Sequence, residues 1–481
     1  MLKYINIILF IIFFSLSIVY SNDIQKMVEY NKPSVVLVNL EINGVIVFKV
    51  PISNQVAMQE LENEITNLAL SGNLGYTEEE IKRNIIKYML NKISKDPNKY
   101  LVPSSREKRV EIRIGALGSG VIINPNGYVL TATHVVAMEE EEIKSIIINQ
   151  FLDQVIGEDL FTSFENQIGM SISKEDEKLL SIAVKKYLIA NIVGLDYEKK
   201  VYVILGVADK GKANIGIHLK PASIIKIGSS EKISDIVNMG RDLAIVKIDQ
   251  TNLPTSLIAE QEPTEGSEVV VVGYPATVHV FWGWLFDHHT ILKPTITKGI
   301  ISSIRTSNKG VRVIQTDATT NKGNSGGPGY NSEGKIIGTV SWGLLDPRLG
   351  VSTKNYAILV SCSEIQNFIK EANIQNIQSD VDKNYQKGID EYYQQRYRSA
   401  LNYFKKVQDL YPDHPYVKEY IINCQTNISQ GKDRSGITFD NNTTIILLIA
   451  FGILSCGALV FLIGAFVFYF FFFRKKASKN N

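Results

Sequence analysis

The sequence predicts a mainly β protein with helical segments inserted into it and attached after it. Short runs of β-branched and apolar residues, separated by turn residues, recur between positions 32 and 360, as expected for strands. Two stretches within that region instead repeat apolar residues at intervals of three and four, which is the period of a helix. A third helical stretch and a long apolar run follow on the C-terminal side.

Length and composition limit the classes of protein to consider. The chain has 481 residues, so two or three domains are expected. With 51 basic and 49 acidic residues the net charge is only +2, so nothing indicates a nucleic-acid partner. There are three cysteines, and the sequence leaves open whether Cys362 and Cys424 form a disulfide or remain free thiols.

The N-terminal 21 residues have the pattern of a secretory signal peptide. Lys3 precedes an apolar run from Ile5 to about Val19, and small residues follow, so we expect cleavage after Ser21. An uncleaved membrane anchor is the alternative. Both interpretations place the rest of the chain outside the cytoplasm.

The first strand is predicted over residues 32–44, with a turn at Asn43-Gly44. Strand patterns resume at Arg109 and continue to residue 136, with a second Asn-Gly turn on the way.

Residues 55–95 predict two helices, the second beginning after Thr77, where three glutamates favour a helix N-terminus. Residues 137–195 predict a second helical insertion. The acidic run at its start, 139–142, is interpreted as a solvated first turn, and a metal site is the alternative.

The segment Gly323–Pro328, with sequence GNSGGP, has the pattern that nucleophilic acyl chemistry requires. Its glycines allow backbone conformations closed to residues with a Cβ atom. The N–H groups of Gly323 and Ser325 could therefore point to one place beside the Ser325 hydroxyl and form an oxyanion hole. A glycine-rich turn between two strands is the alternative interpretation.

A nucleophilic serine needs a base, and the base needs an orienting acid. His134 lies at the end of a predicted strand, and Asp242 opens another strand that is otherwise apolar. The carboxylate of Asp242 could equally cap a turn, so neither residue identifies the chemistry alone.

Four motifs taken together resemble the trypsin-like serine proteases, most closely the HtrA/Deg type, over residues 32–370. They are TATH at 131–134, DLAIVK at 242–247, VGYP at 272–275 and QTDA followed by GNSGGP at 315–328. The resemblance implies two six-stranded antiparallel barrels, spanning residues 22–253 and 254–374.

The resemblance also implies the roles of individual residues. A catalytic triad would consist of His134, Asp242 and Ser325. An oxyanion hole would involve Gly323 and Ser325 with Asn324, and an extended substrate would pair with a strand containing Ser341, Trp342 and Gly343. Such a triad requires neither a metal nor a cofactor.

One departure from that family is the separation of 108 residues between His134 and Asp242, which the insertion at 137–195 accounts for. Two roles stay open for the insertions: covering the cleft, or mediating self-association into a homo-oligomer. The aromatic loop at 278–290 is expected to pack on itself, with lining of a substrate groove and membrane contact as alternatives.

After the barrels, residues 380–430 resemble a tetratricopeptide repeat rather than the PDZ domain usual in HtrA-type chains. The spacings of that motif are matched by Gly388, Tyr397, Ala400, Phe404 and Pro412. This helical pair would dock on the protease, act as a stalk or bind peptides.

Residues 445–473 form an apolar run long enough to span a bilayer, and basic residues follow immediately. The sequence therefore predicts a transmembrane helix with a cytoplasmic tail at 474–481.

The resulting hypothesis is a membrane-anchored serine endopeptidase with its catalytic domain outside the cytoplasm. By resemblance its partners would be unfolded or exposed polypeptides in protein quality control. A chaperone-like or scaffold protein, binding through the barrels and the tetratricopeptide-like surface, is the alternative.

Overall fold

The computed structural model describes most of the chain between residues 24 and 436. The described ranges are 24–149, 164–166, 171–206, 219–228, 232–234, 237–238, 240–275, 293–346 and 351–436. Within these, only the backbone is described for residues 232–234, 237–238, 342–346 and 351–355.

The first barrel is closed by six antiparallel strands in the order β1-β2-β3-β8-β5-β4. Its strands are β1 (Val35–Ser53), β2 (Leu101–Asn124), β3 (Tyr128–Thr131), β4 (Ile192–Ile204), β5 (Leu219–Ile227) and β8 (Ala244–Ile248). Between β5 and β8 lies a two-stranded sheet of β6 (Lys232–Ser234) and β7 (Val237–Asn238).

The second barrel is also closed, in the order β10-β11-β14-β13-β12-β9. Its strands are β9 (Glu268–Gly273), β10 (Thr295–Thr306), β11 (Arg312–Thr316), β12 (Pro328–Tyr330), β13 (Ile336–Asp346) and β14 (Val351–Ser361). The expectation of two six-stranded antiparallel barrels is therefore confirmed.

A single apolar cluster extends through both barrels. Leu130 and Ile245 contribute to it from the first barrel, and Val271 and Leu359 from the second, all with 1% or less of their surface exposed. Burial of the apolar surface of this cluster stabilises the association of the two barrels. Strand ends at the junction between the barrels therefore pack against residues of both barrels.

The helical insertions lie in the first barrel, as the periodicity predicts. Between β1 and β2 are α1 (Gln55–Leu70), α2 (Glu78–Lys95) and α3 (Pro97–Tyr100). The short helix α4 (Thr133–Val136) follows β3, and helical residues 140–149 and α5 (Lys174–Ala190) precede β4.

Both long insertion helices, α2 and α5, begin with a capping box. Thr77 accepts from the N–H of Glu80 at the start of α2, and Ser173 accepts from the N–H of Asp176 at the start of α5. The two insertions then pack on each other through Leu90 and Tyr187 in an apolar cluster of their own.

The prediction of a turn at Asn43-Gly44 is wrong, because β1 continues through these residues from Val35 to Ser53. Gly44 pairs with Ile112 of β2 and Tyr197 of β4. A Cβ atom at this position would lie 2.2 Å from the carbonyl oxygen of Asp196. The glycine thus permits close approach of a neighbouring strand, and pairing on both edges overrides the local turn preference.

The helix α6 (Cys362–Glu371) closes the second barrel, and three helices follow it: α7 (Asp380–Tyr393), α8 (Tyr397–Leu410) and α9 (Val417–Ser429). The described chain divides into two compact units. One contains residues up to Gln386 together with Lys406–Lys418, and the other contains Lys387–Lys405 and the residues from Glu419 onward.

Within the smaller unit, two residues of the repeat pattern, Gly388 and Phe404, form a contact between helices. A Cβ atom on Gly388 would lie 2.6 Å from the ring of Phe404, so glycine allows that ring to approach the α7 backbone. Phe404 stacks on Tyr420 at 5.0 Å between ring centroids. The helices are therefore present, and the tetratricopeptide assignment remains a prediction.

Within the larger unit, His414 is fully buried and lies three residues before α9. Its Nδ1 accepts hydrogen bonds from the N–H groups of Tyr416 (3.3 Å) and Val417 (3.2 Å), and its ring lies 4.4 Å from that of Tyr385. Burial, reinforced by the nearby charge of Lys32, lowers the pKa of His414 to about 3.

This depressed pKa predicts a loss of stability under mildly acidic conditions. The unfolded chain takes up a proton on His414 below pH 6.5, whereas the folded chain does not, so stability falls as the pH drops. Between pH 7.5 and 5.5 we expect a loss of about 1.4 kcal/mol in the free energy of unfolding. Urea unfolding at both pH values measures it.

His414→Asn is the matched control, since an asparagine oxygen can accept the same two N–H groups but does not titrate in this range. In this variant the loss of about 1.4 kcal/mol in the free energy of unfolding between pH 7.5 and 5.5 should be absent. Equal pH dependence in the two proteins would contradict the role of His414.

Several predicted features fall outside the described residues: the signal peptide at 1–21, the aromatic loop at 278–290 and the membrane span at 445–473. In the part of the chain that is described, no helix combines the length and apolar character needed to cross a bilayer. Cys362 and Cys424 are both buried free thiols, so the disulfide alternative does not apply.

Candidate active site

His134 and Asp242 meet between two elements of the first barrel. His134 lies in α4, immediately after β3, and Asp242 lies two residues before β8, which pairs with β3. The imidazole Nδ1 is 2.8 Å from Oδ2 of Asp242, and the backbone N–H of His134 donates to Oδ1 at 3.1 Å. Both oxygens of the carboxylate thus hold the same histidine.

Asp242 is completely buried, with 0% of its surface exposed. Burial alone raises the pKa of this carboxyl group. The positive charge and ring N–H of His134, the Ser341 hydroxyl and the His134 backbone N–H outweigh that effect, so the pKa lies below its ordinary value. The carboxylate is therefore ionised at neutral pH and can orient the imidazole and stabilise its protonated form.

Ser325 lies in the turn before β12, in the loop Gly323–Pro328. Its hydroxyl donates to the carbonyl oxygen of Ser341 in β13 at 3.1 Å. Two glycines of this loop adopt positive φ angles, +98° at Gly323 and +85° at Gly326. The sequence prediction that glycines are needed here for their backbone freedom is thus met at two positions.

The backbone N–H groups of this loop differ in whether they are free to bind an oxyanion. The N–H of Asn324 donates to the carbonyl of Asn321 at 3.0 Å, so it is not free to bind an oxyanion. Within the described part of the chain, the N–H groups of Gly323 and Ser325 have no acceptor. The proposed oxyanion hole therefore reduces from three residues to Gly323 and Ser325.

Ser341 contributes more than the backbone groups that the sequence suggested. Its hydroxyl donates a short hydrogen bond to Oδ2 of Asp242, and its carbonyl accepts from Ser325. Trp342 and Gly343 continue β13 and pair with Ile358 and Ala357 of β14. The contact with Asp242 spans 99 residues along the chain, and no local pattern in the sequence points to it.

Arg241, beside Asp242, was also not identified from the sequence. Its guanidinium binds Glu371 at 2.7 Å and Glu364 at 3.3 Å, both on α6. Lys226 of β5 also binds Glu371, at 2.7 Å, and these hydrogen bonds lower the pKa of Glu371 to about 2. The second barrel's closing helix thus anchors the chain next to the buried aspartate.

Part of the chain matches a known protein family. Residues 201–338 match the family model of the trypsin-like peptidase domain. The matched range contains Asp242 and Ser325, whereas His134 lies before it, on the other side of the second insertion.

Several relatives carry protease names. A probable periplasmic serine endoprotease, DegP-like, from Halomonas elongata is 40% identical over 101 residues, covering 20% of this chain and 18% of that protein. A protein of the same name from Pseudomonas fluorescens is 27% identical over 227 residues, or 46% and 28% of the two chains. The serine protease HtrA-like from Staphylococcus aureus is 28% identical over 198 residues, or 37% and 23%.

The aligned part of this chain spans less than a third of the length of each of these relatives. Together the family match and the named relatives support a trypsin-like serine protease of the HtrA type as the class to which the chain is similar.

Proposed function

We propose that this chain is a serine endopeptidase in which Ser325 attacks a peptide carbonyl. His134 would accept the hydroxyl proton and later donate it to the leaving amine, while Asp242 holds the imidazole in the productive tautomer. The N–H groups of Gly323 and Ser325 would stabilise the oxyanion. Neither a metal nor a cofactor enters this mechanism.

The observation that carries the proposal is the contact of 2.8 Å between His134 Nδ1 and the buried Asp242. A buried carboxylate is costly unless it is paired, and here it accepts three hydrogen bonds from His134 and Ser341. Ser341 also accepts from Ser325, so one strand residue touches both the acid and the nucleophile. Catalysis would require the Ser325 hydrogen to turn from this carbonyl to the imidazole.

The substrate class follows from the edge of β13. Pairing with β12 ends at Thr339, and Gly326 and Gly327 then engage Val340. From Ser341 to Gly343, the edge of β13 that faces away from β14 has no paired strand among the described residues. An extended polypeptide can add there as a strand, which favours unfolded or exposed segments as substrates.

A fluorophosphonate probe tests the nucleophile directly. We expect the purified full-length protein to be phosphonylated on Ser325, because the reagent needs an activated serine and an oxyanion hole but no specific peptide. Ser325→Ala should abolish labelling. Mass spectrometry of the labelled peptide identifies the residue.

Ser303→Ala provides the control, since this hydroxyl lies on β10 and bonds only with Gln315 and Arg305 among the described residues. That variant should label like the parent protein. A folded parent protein that takes up no label would contradict the proposal and favour the binding or scaffold alternative.

The location proposed for this activity is the non-cytoplasmic side of a membrane. The support is the signal-like segment at 1–21 and the apolar run at 445–473 with its basic flank. Alkaline extraction of membranes containing the full-length chain tests the anchor.

A further inference from the structure

Ser119, a residue of β2 in the first barrel, contacts the loop Gly323–Pro328 of the second barrel at two points. Its backbone N–H donates to the carbonyl of Ser325 at 2.7 Å, and its hydroxyl donates to the carbonyl of Gly323 at 2.7 Å. The hydroxyl oxygen also accepts the N–H of Tyr274, which follows β9, at 2.8 Å. Ser119 is completely buried.

The two carbonyls held by Ser119 lie on either side of the peptide that joins Asn324 to Ser325. Each carbonyl belongs to a planar peptide unit, so fixing both restricts rotation of the unit between them. That intervening unit carries the N–H of Ser325, one of the two donors assigned to the oxyanion hole. We propose that Ser119 is a positioning residue that orients the Ser325 N–H for catalysis, an inference that rests on the proposed function.

The side chain, and not only the backbone, is required for this arrangement. A hydroxyl can accept from Tyr274 and donate to Gly323 at the same time, which no apolar side chain can do. Close packing around Ser119 depends on two glycines: a Cβ atom on Gly273 would lie 3.0 Å from the Ser119 hydroxyl, and one on Gly327 would lie 3.2 Å from the Ser119 Cβ. Alanine would fit but would remove the buried hydrogen bonds that the hydroxyl makes with the Tyr274 N–H and the Gly323 carbonyl.

The effect of the Ser119 hydroxyl on the loop can be separated from the part that Ser119 plays in the strand. Thr131 donates to the Ser119 carbonyl at 2.7 Å, and the strand pairing of β2 with β1 includes Ser119 opposite Leu37. Both interactions use only the backbone of Ser119. Substitution by alanine therefore keeps the strand and removes only the two hydrogen bonds of the hydroxyl, to Gly323 of the loop and to the N–H of Tyr274.

The test compares Ser119→Ala with Ser34→Ala in the full-length protein. Ser34 is a comparably buried hydroxyl that bonds the Asn31 carbonyl at 2.7 Å and Ser256 at 2.6 Å, and no hydrogen bond from it to the loop is found among the described residues. Saturation kinetics of fluorophosphonate labelling separate the maximal labelling rate from the half-saturating concentration. We expect Ser119→Ala to lower the maximal rate about tenfold, less than the full loss of an oxyanion donor, with unchanged half-saturation.

Ser34→Ala should leave both labelling constants unchanged although it loses a comparable buried hydrogen bond. Ser119→Cys, which fills the site but donates weakly, guards against misfolding of the alanine variant and should give an intermediate rate. An unchanged maximal rate in folded Ser119→Ala or Ser119→Cys would overturn the proposal.

Amide hydrogen exchange of the peptide spanning residues 321–328 provides a measurement that does not depend on activity. Exchange should become faster in Ser119→Ala and stay the same in Ser34→Ala. Should the parent protein prove inactive, the proposed function fails, while this exchange still decides whether Ser119 orders the loop. Unchanged exchange in Ser119→Ala would overturn that ordering role.

Discussion

Replacement of Asp242 by asparagine should lower the maximal rate of peptide hydrolysis by about 10⁴-fold while leaving the fold intact. The carboxylate accepts three hydrogen bonds, one on Oδ1 and two on Oδ2, and offers none in return. Asparagine must place an NH₂ group against one of these donors. Because the backbone N–H of His134 cannot change its polarity, the imidazole is the group forced into the wrong tautomer.

The rate can be measured with fluorescently labelled casein, and circular dichroism shows whether the fold is kept. Asp249→Asn makes the same chemical change at an exposed position just after β8 and should leave the rate unchanged. Retention of more than a tenth of the parent rate by Asp242→Asn would mean that this carboxylate does not orient the base.

Gly326→Ala should produce a large structural effect although it adds only one methyl group to this site. Gly326 has a φ angle of +85°, and an added Cβ would lie 2.1 Å from the carbonyl oxygen of Ser119 and 2.3 Å from the Thr131 hydroxyl. Strain in the left-handed region and overpacking together should cost about 3 kcal/mol in the free energy of unfolding. Displacement of the loop should also abolish fluorophosphonate labelling.

Gly310→Ala separates the two contributions. Gly310 has a φ angle of +80° but nothing lies within 4 Å of its missing Cβ, so this variant carries only the backbone strain, about 1 kcal/mol. Its labelling should equal that of the parent protein. Urea unfolding of both variants measures how much overpacking adds to backbone strain. Equal losses in the free energy of unfolding would show that the atoms around Gly326 move to accommodate the methyl group at little cost.

The parts of the fold predictable from sequence are those encoded by neighbouring residues. Periodicity and the acidic first turn after Thr77 predict two helices over residues 55–95, and α1 and α2 are found there, the second with a capping box. The Asn-Gly signal at Gly44 failed because a glycine can serve strand approach as well as a turn, and only the positions of β2 and β4 decide between them.

The residues of the candidate site also divide into those that local sequence patterns predict and those that they do not. His134, Asp242 and Ser325 stand within short patterns that the sequence displays, and the structure brings the first two into direct contact. Ser119 and the Ser341 hydroxyl act across 204 and 99 residues of chain, respectively. Serine is a common residue, so nothing local distinguishes these two until the barrels are assembled around them.

The course of β2 has a mechanical consequence. The strand runs from Leu101, where the first helical insertion ends, to Asn124, and Ser119 lies along it. Its pairing with β1 shifts register between Pro103 and Glu107 and is then continuous past Ser119 to Val121. A tensile load that reaches Glu107 is therefore transmitted in series along a continuously paired strand to the residue that contacts the Ser325 loop.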